Sequence, residues 1–300
     1  MQVETSPGFR DRIARVAGDA GREWVDRLPE LVAEFGQRWQ LTLGPPYQPM
    51  SYNFVAPAVR ADRTPVVLKA LLPEDARETE PAMLALCDGR GMVRMLEHDA
   101  EIGVMLLERV EPGTPLLELE DDDEATRIAA RVMRRFWRSV PATHPFPSVG
   151  DWLRGFERHR REHGGSGPLP NDLFERAEGL APELLASSAE PVVLHGDLHH
   201  WNILAAEREP WLAIDPKGVI GEPAFEVGAW LRNPITNIPR TEVLARRIAI
   251  FSEELGFDTQ RLTAWSAVQA VLSAIWSAEN GGTNWGNAMT AAGRLFSLRT

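Results

Sequence analysis

The stretch that decides the fold is Val192-Val193-Leu194-His195-Gly196-Asp197-Leu198-His199-His200-Trp201-Asn202-Ile203-Leu204, followed by Trp211-Leu212-Ala213-Ile214-Asp215-Pro216-Lys217-Gly218. Its pattern is apolar strand, polar loop, apolar strand, turn, apolar strand, and then an acidic residue before a further turn. Asp197, Asn202 five positions on and Asp215 stand out. A carboxylate beside a hydroxyl, with two oxygen ligands for a hard metal ion, is the equipment of phosphoryl transfer from a nucleotide.

The chain that carries this stretch has 300 residues, enough for one large or two modest domains with a sizeable core. An apolar content of 44% and a charged content of 25% are ordinary for a globular protein. The net charge of -11 argues against nucleic acid as a partner and suits a cationic small molecule, although an acidic surface also serves solubility. A single cysteine, Cys87, excludes an internal disulfide and a cysteine-based zinc site, and it fits a reducing compartment. The Met1-Gln2-Val3-Glu4-Thr5 start lacks the pattern of a signal peptide, and no apolar run reaches the length of a membrane span. A cytoplasmic protein is expected, with no membrane partner; the oligomeric state is not legible.

Upstream, Phe9, Ile13, Val16, Trp24, Leu28, Leu31, Val32 and Phe35 recur at helical spacing, which predicts one or two amphipathic helices, the second opened by Pro29. Tyr52 to Ala58 and Pro65 to Leu71 form the two arms of a hairpin. Its second arm carries Val66-Val67-Leu68-Lys69, and a lysine in an apolar strand needs an anionic partner unless it escapes from an edge. Residues 74–87 read as a helix, with Glu78 and Glu80 available to Lys69. Glu80 is preferred because it leads into the apolar Met83-Leu84 face. Strands are predicted at 92–96 and 103–107, then Glu108-Arg109-Val110-Glu111-Pro112-Gly113 reads as a hinge whose backbone near Glu108 and Val110 could meet an adenine ring. In the glycine-free loop ahead of the hairpin, backbone N–H groups and the Ser51 hydroxyl could contact phosphate, and a hairpin turn with no ligand role explains the loop equally well.

Downstream, Asp121-Asp122-Asp123-Glu124 precedes a helix predicted over 125–140, where acidic residues complement the helix dipole. Further helices are expected at 151–163, at 171–186 with Asn171 or Asp172 as cap, from 221 onward, and at 243–255, 262–278 and 287–298. The domain reading is therefore 1–109, a small antiparallel sheet with helices, and 110–300, a mainly helical lobe around a few short strands.

The loop His195-Gly196-Asp197-Leu198-His199-His200-Trp201-Asn202 with Ile214-Asp215 resembles the catalytic loop and second aspartate of the aminoglycoside phosphotransferase family. Asp215-Pro216-Lys217-Gly218 with Gly221-Glu222-Pro223-Ala224-Phe225-Glu226 is similar to the branch holding streptomycin 6-phosphotransferases and hydroxyurea phosphotransferases. Ser51 to Pro57, Val66 to Lys69 and Asp88-Gly89-Arg90-Gly91 fit that branch as well. The resemblance implies an α+β, bilobal protein-kinase-like fold that binds Mg²⁺ and ATP, with GTP the alternative. It implies that Asp197 accepts the proton of an alcohol acceptor, that Asn202 and Asp215 hold Mg²⁺, and that Lys69, fixed by Glu80, contacts the phosphates. His195 is expected to brace the loop, and Trp201 to pack. The adjacent His199 and His200 point apart and are not read as a metal site.

Acceptor contacts are sought among Glu226, Asn233, Glu279 and Asn280, with Trp285 as an apolar wall. The function expected is ATP-dependent phosphorylation of a small-molecule hydroxyl, as in streptomycin inactivation. The alternatives are a kinase of hydroxyurea or another metabolite, and a catalytically silent nucleotide-binding relative.

Overall fold

The computed structural model describes residues 6–73, 76–282 and 285–299. The chain divides into two compact units, 1–111 and 112–300. In the first, α1 (Pro7–Arg38) is followed by β1 (Leu41–Leu43), β2 (Phe54–Arg60), β3 (Pro65–Ala70), α2 (Ala76–Cys87), β4 (Met95–Asp99) and β5 (Val104–Glu108). The strands form one antiparallel sheet in the order β1-β2-β3-β5-β4. Alternation along β2 and β3 turns Phe54, Ala56, Leu68 and Ala70 to a core shared with Phe9, Ile13, Leu28 and Phe35 of α1. Fully burying each such large side chain contributes roughly 1.5–3 kcal/mol. Lys69 lies on the other face of β3, which is the middle strand of the sheet. An escape from an edge is therefore closed to it.

Two local expectations change here. Pro29 does not open a helix but lies inside α1. The break falls instead at Gly18, whose φ of 57° and ψ of -135° suit only a residue without a side chain. The strand expected at 92–96 begins three residues later and pairs Met95, Glu97, His98 and Asp99 with β5 through a register shift. It is an edge strand, so its polar residues cost little, and apolar pattern was a poor guide to it.

The second unit contains β6 (Pro112–Pro115), a short 3₁₀ turn, α3 (Asp122–Phe136), β7 (Arg138–Ser139), α4 (Val149–His163), α5 (Asn171–Ala186), β8 (Val192–Leu194), β9 (Ile203–Ala206), β10 (Trp211–Ala213), β11 (Val219–Gly221), α6 (Pro223–Leu231), α7 (Thr241–Leu255), α8 (Thr259–Glu279) and α9 (Trp285–Ser297). The architecture is α+β, as expected. α3 starts three residues and ends four residues before the predicted span, and Trp137 is its C-cap rather than part of its face. Asp121 caps it by accepting from the backbone N–H groups of Asp123 and Glu124. α5 has the predicted bounds, but Pro170 is its cap position and makes no side-chain bond, so neither Asn171 nor Asp172 caps it. Small sheets β10-β9-β6 and β11-β8-β7 carry the loops of interest. Among the described residues no helix is long and apolar enough to cross a membrane.

Candidate active site

The loop 195–202 joins β8 to β9, and the turn 214–218 joins β10 to β11. β8 pairs with β11 and β9 pairs with β10, both antiparallel. The loop and the turn are therefore tied together at both ends. Strand β11, too short for the sequence pattern to mark, closes this arrangement by setting Val219 opposite Leu194. Backbone bonds complete the tie: Ile214 N donates to Asn202 O at 2.9 Å, and Lys217 N donates to His195 O at 2.8 Å.

His195 is the brace expected of it. It is fully buried, and burial pulls its pKa down to about 4, so the ring is neutral. Its Nδ1 accepts from the Asp197 N–H at 3.2 Å. That fixes the proton on Nε2, which donates to Ile214 O at 2.8 Å. Gly196 has φ +84°, and a Cβ there would meet the Trp152 ring at 2.6 Å, so only glycine fits the turn into Asp197.

The Asp197 side chain is 29% exposed and its Oδ1 accepts from Arg232 Nη2 at 2.8 Å. His199 Nε2 lies 3.8 Å from the other oxygen, Oδ2. Burial opposes ionisation of this carboxyl, but His199, Arg232 and Lys217 outweigh it and hold it below the ordinary aspartate value. Asn202 Nδ2 donates to Asp197 O at 3.0 Å, so the acceptor its side chain can offer a ligand is Oδ1. Asp215 takes a left-handed backbone, φ 59°, and its Oδ2 accepts from Lys217 Nζ at 2.9 Å. A non-glycine residue held in that region is a mark of functional sites. An amide oxygen and a carboxylate are donors that suit a hard cation such as Mg²⁺, which uses few protein ligands and completes its shell with phosphate and water.

In the first unit Lys69 Nζ donates to Glu80 Oε1 at 2.5 Å, and the two residues are only 4% and 1% exposed. Glu78 is exposed. Ser51 is exposed too, and its carbonyl accepts from Arg12 Nε at 2.9 Å. Glu108 ends β5, and its carboxylate accepts from the Arg94 N–H at 3.0 Å, while Val110 is half-buried beyond it.

The acceptor contacts fare differently. Glu226 is fully buried, and its Oε2 and Oε1 accept from the backbone N–H groups of His195 at 2.6 Å and Gly196 at 3.0 Å. Burial pushes its pKa up to about 7 against these two bonds. Asn233 is buried as well, donating to Ala229 O at 2.8 Å and accepting from the Ile235 N–H at 3.0 Å. Both are apolar-helix neighbours whose polar groups must be satisfied internally, which a linear reading cannot distinguish from substrate contact. Glu279 makes a two-pronged bond with Arg158, at 3.0 and 3.1 Å. Asn280 is the exposed end of α8, and Trp285 opens α9 half-buried. Among the described residues no hydrogen bond or ring contact joins Glu279, Asn280 or Trp285 to Asp197. Trp201 does not pack: it is 54% exposed. His200 does, stacked on Trp230 with ring centres 3.6 Å apart. Arg232 carries no mark in the sequence that ties it to the loop, since it lies 35 residues from Asp197.

Residues 39–281 match the family model described as aminoglycoside/hydroxyurea antibiotic resistance kinase. The chain is 35% identical over 288 residues to a streptomycin 6-kinase of Streptomyces griseus, covering 93% of this chain and 92% of that protein. It is 38% identical over 273 residues to a hydroxyurea phosphotransferase of Kitasatospora aureofaciens, covering 89% and 78%. A choline kinase structure from Streptococcus pneumoniae superimposes with a TM-score of 0.66 at 13% identity, covering 90% of this chain and 99% of that one, which shows a shared fold.

Proposed function

Since the chain belongs to the aminoglycoside/hydroxyurea antibiotic resistance kinase family, we propose that it transfers the γ-phosphoryl group of ATP to a hydroxyl of a cationic, streptomycin-like small molecule. The observation that supports this most is the tie between the Asp197–Asn202 loop and the Asp215 turn through two strand pairs. In this reading Asp197 orients the acceptor hydroxyl through Oδ2 and receives its proton, while Oδ1 stays on Arg232. Asn202 and Asp215 hold Mg²⁺, and Lys69, fixed by Glu80, contacts the nucleotide phosphates. Bound Mg²⁺ supplies the charge that neutralises the phosphate oxygens. The backbone near Glu108 and Val110 takes the base, with Ser51 near the phosphates. A net charge of -11 favours capture of a cationic acceptor, and the single cysteine suits a cytoplasmic setting.

The test is ATP turnover by the full chain with streptomycin, other aminoglycosides and hydroxyurea, each compared with Asp197→Asn. Loss of a positioned base lowers the rate by roughly 10²–10⁴. A mutant as fast as the parent would remove Asp197 from the reaction. Turnover with hydroxyurea and none with any aminoglycoside would move the acceptor to the other arm of the family.

A further inference from the structure

Three arginines of the second unit, two of them buried, form ion pairs, and Arg247 and Arg261 each donate from all of their guanidinium nitrogens. Arg247 bonds both oxygens of Asp122, at 3.1 and 3.0 Å from Nε, and also Asn233 O at 2.8 Å and His200 Nε2 at 3.3 Å. Arg261 bonds Glu222, Ser187 Oγ and Leu184 O. These two clamp elements together. Arg232 differs. Its side chain is 10% exposed, its Nη2 bonds Asp197 Oδ1, and its Nε is buried with no hydrogen-bond partner among the described residues. A guanidinium has five donors, and burying its Nε–H without a partner is costly unless the bond it does make matters.

The location of Arg232 is fixed. It is the C-cap of α6, and its own N–H donates to Gly228 O at 3.2 Å. The next residue, Asn233, is held by Arg247. The same helix carries Glu226, which binds the backbone of His195 and Gly196. Helix α6 therefore grips three successive residues, His195 and Gly196 by their backbone and Asp197 by its side chain.

We infer that Arg232 is the positioning residue of the phosphotransfer site: by occupying Oδ1 it locks the Asp197 carboxylate in one rotamer and leaves Oδ2 for the acceptor hydroxyl. This rests on the reading of Asp197 given above. A carboxylate free to rotate about its last bond spends only part of its time aimed at the hydroxyl, and a small misplacement of a reacting group can cost about 10²-fold in rate. Arg232 then acts on kcat through Asp197 and leaves nucleotide affinity alone.

The experiment is a double-mutant cycle on the full chain, with ATP and whichever of streptomycin or hydroxyurea supports turnover. Arg232→Met, neutral and of similar length, should lower kcat by roughly 10²-fold with KM for ATP changed less than about threefold. In an Asp197→Asn background the same substitution should change kcat by less than about threefold, because the carboxylate it aims is gone. Arg232→Lys, which keeps a charged donor and guards against a folding failure of the Met variant, should recover part of the lost kcat. An equal loss in both backgrounds, a loss confined to KM, or a Lys variant no faster than Met each overturns the inference. If Asp197→Asn lowers the rate and Arg232→Met does not, the inference alone falls. If Asp197→Asn is as active as the parent, or no acceptor is turned over, the underlying reading falls with it.

Discussion

Lys69 and Asp197 are both charged residues set among apolar neighbours, one in each unit, and they are held in opposite ways. Lys69 sits in the middle strand of a sheet and is sealed against Glu80, with both side chains almost wholly buried. Asp197 sits in a loop, keeps 29% of its side chain exposed, and accepts a side-chain hydrogen bond at Oδ1, from Arg232, with His199 farther off at 3.8 Å from Oδ2. The first pair is closed; the second is open on one side. A closed pair fixes geometry and excludes water. An open pair keeps an atom available for a ligand while its anchored partner sets the direction. The difference is one of stability against access, and it can be pushed from either end.

The closed pair carries the largest stability effect. Lys69→Met removes the Lys69–Glu80 ion pair, and breaking a buried pair by taking away one partner costs about 3–5 kcal/mol. Equilibrium urea unfolding should show that loss, and the double substitution Lys69→Met with Glu80→Leu should recover part of it, since the Glu80 charge is removed together with that of Lys69. Activity should not return with stability. A double variant that stays as unstable as the single one would mean that packing, and not the missing counter-charge, sets the cost.

The loop around Asp197 carries its charges differently, and pH separates them. Glu226 has its pKa raised to about 7 in the folded protein, so the folded state holds a proton that the unfolded chain has released. Its contribution is present below the ordinary carboxylate range and is lost as pH rises through about 7. His195 has its pKa lowered to about 4, so its contribution is present above the ordinary imidazole range and is lost as pH falls toward 4. The two slopes oppose each other in mildly acidic solution, and the Glu226 loss runs on to neutrality. Glu226→Gln should remove that alkaline-side loss, shifting its stability relative to the parent by about 3 kcal/mol in its favour between pH 4 and pH 8. The amide also weakens one backbone bond at every pH, so the change with pH is the quantity to read from urea unfolding. A difference between the two proteins that does not vary with pH would show that Glu226 titrates alike in the folded and unfolded states.

Legibility in sequence followed the distance between partners. Lys69 and Glu80 are 11 residues apart on a strand and the helix after it, so an apolar strand with a lysine and an apolar helix face with a glutamate were enough to pair them. The Asp197, Asn202 and Asp215 framework was legible because its strands are short, apolar and bounded by turn residues. Arg232 and Glu226 were not, because both act through α6, across 30 residues or more, and nothing local marks which face of a wholly buried helix meets the loop. Glu226 in particular looked like a substrate contact for the reason that makes it a brace: a carboxylate in an apolar helix needs donors, and the chain itself provides them.

The smallest expected effect belongs to Lys217, and it tests where the open arrangement ends. Lys217 bonds Asp215 across a single intervening residue, and both side chains are about a third exposed, 36% and 34%. Solvent screens such a pair, and its two members are already neighbours in the unfolded chain, so Lys217→Met should change unfolding stability by less than about 1 kcal/mol. The backbone of Lys217 does more for the turn than its ammonium, through the bond from its N–H to His195 O, and that bond survives the substitution. A loss of several kcal/mol would show that the ammonium is a third buried counter-charge for the loop, alongside Arg232. The Asp197 side would then have to be counted as closed, and the contrast with Lys69 and Glu80 would fail.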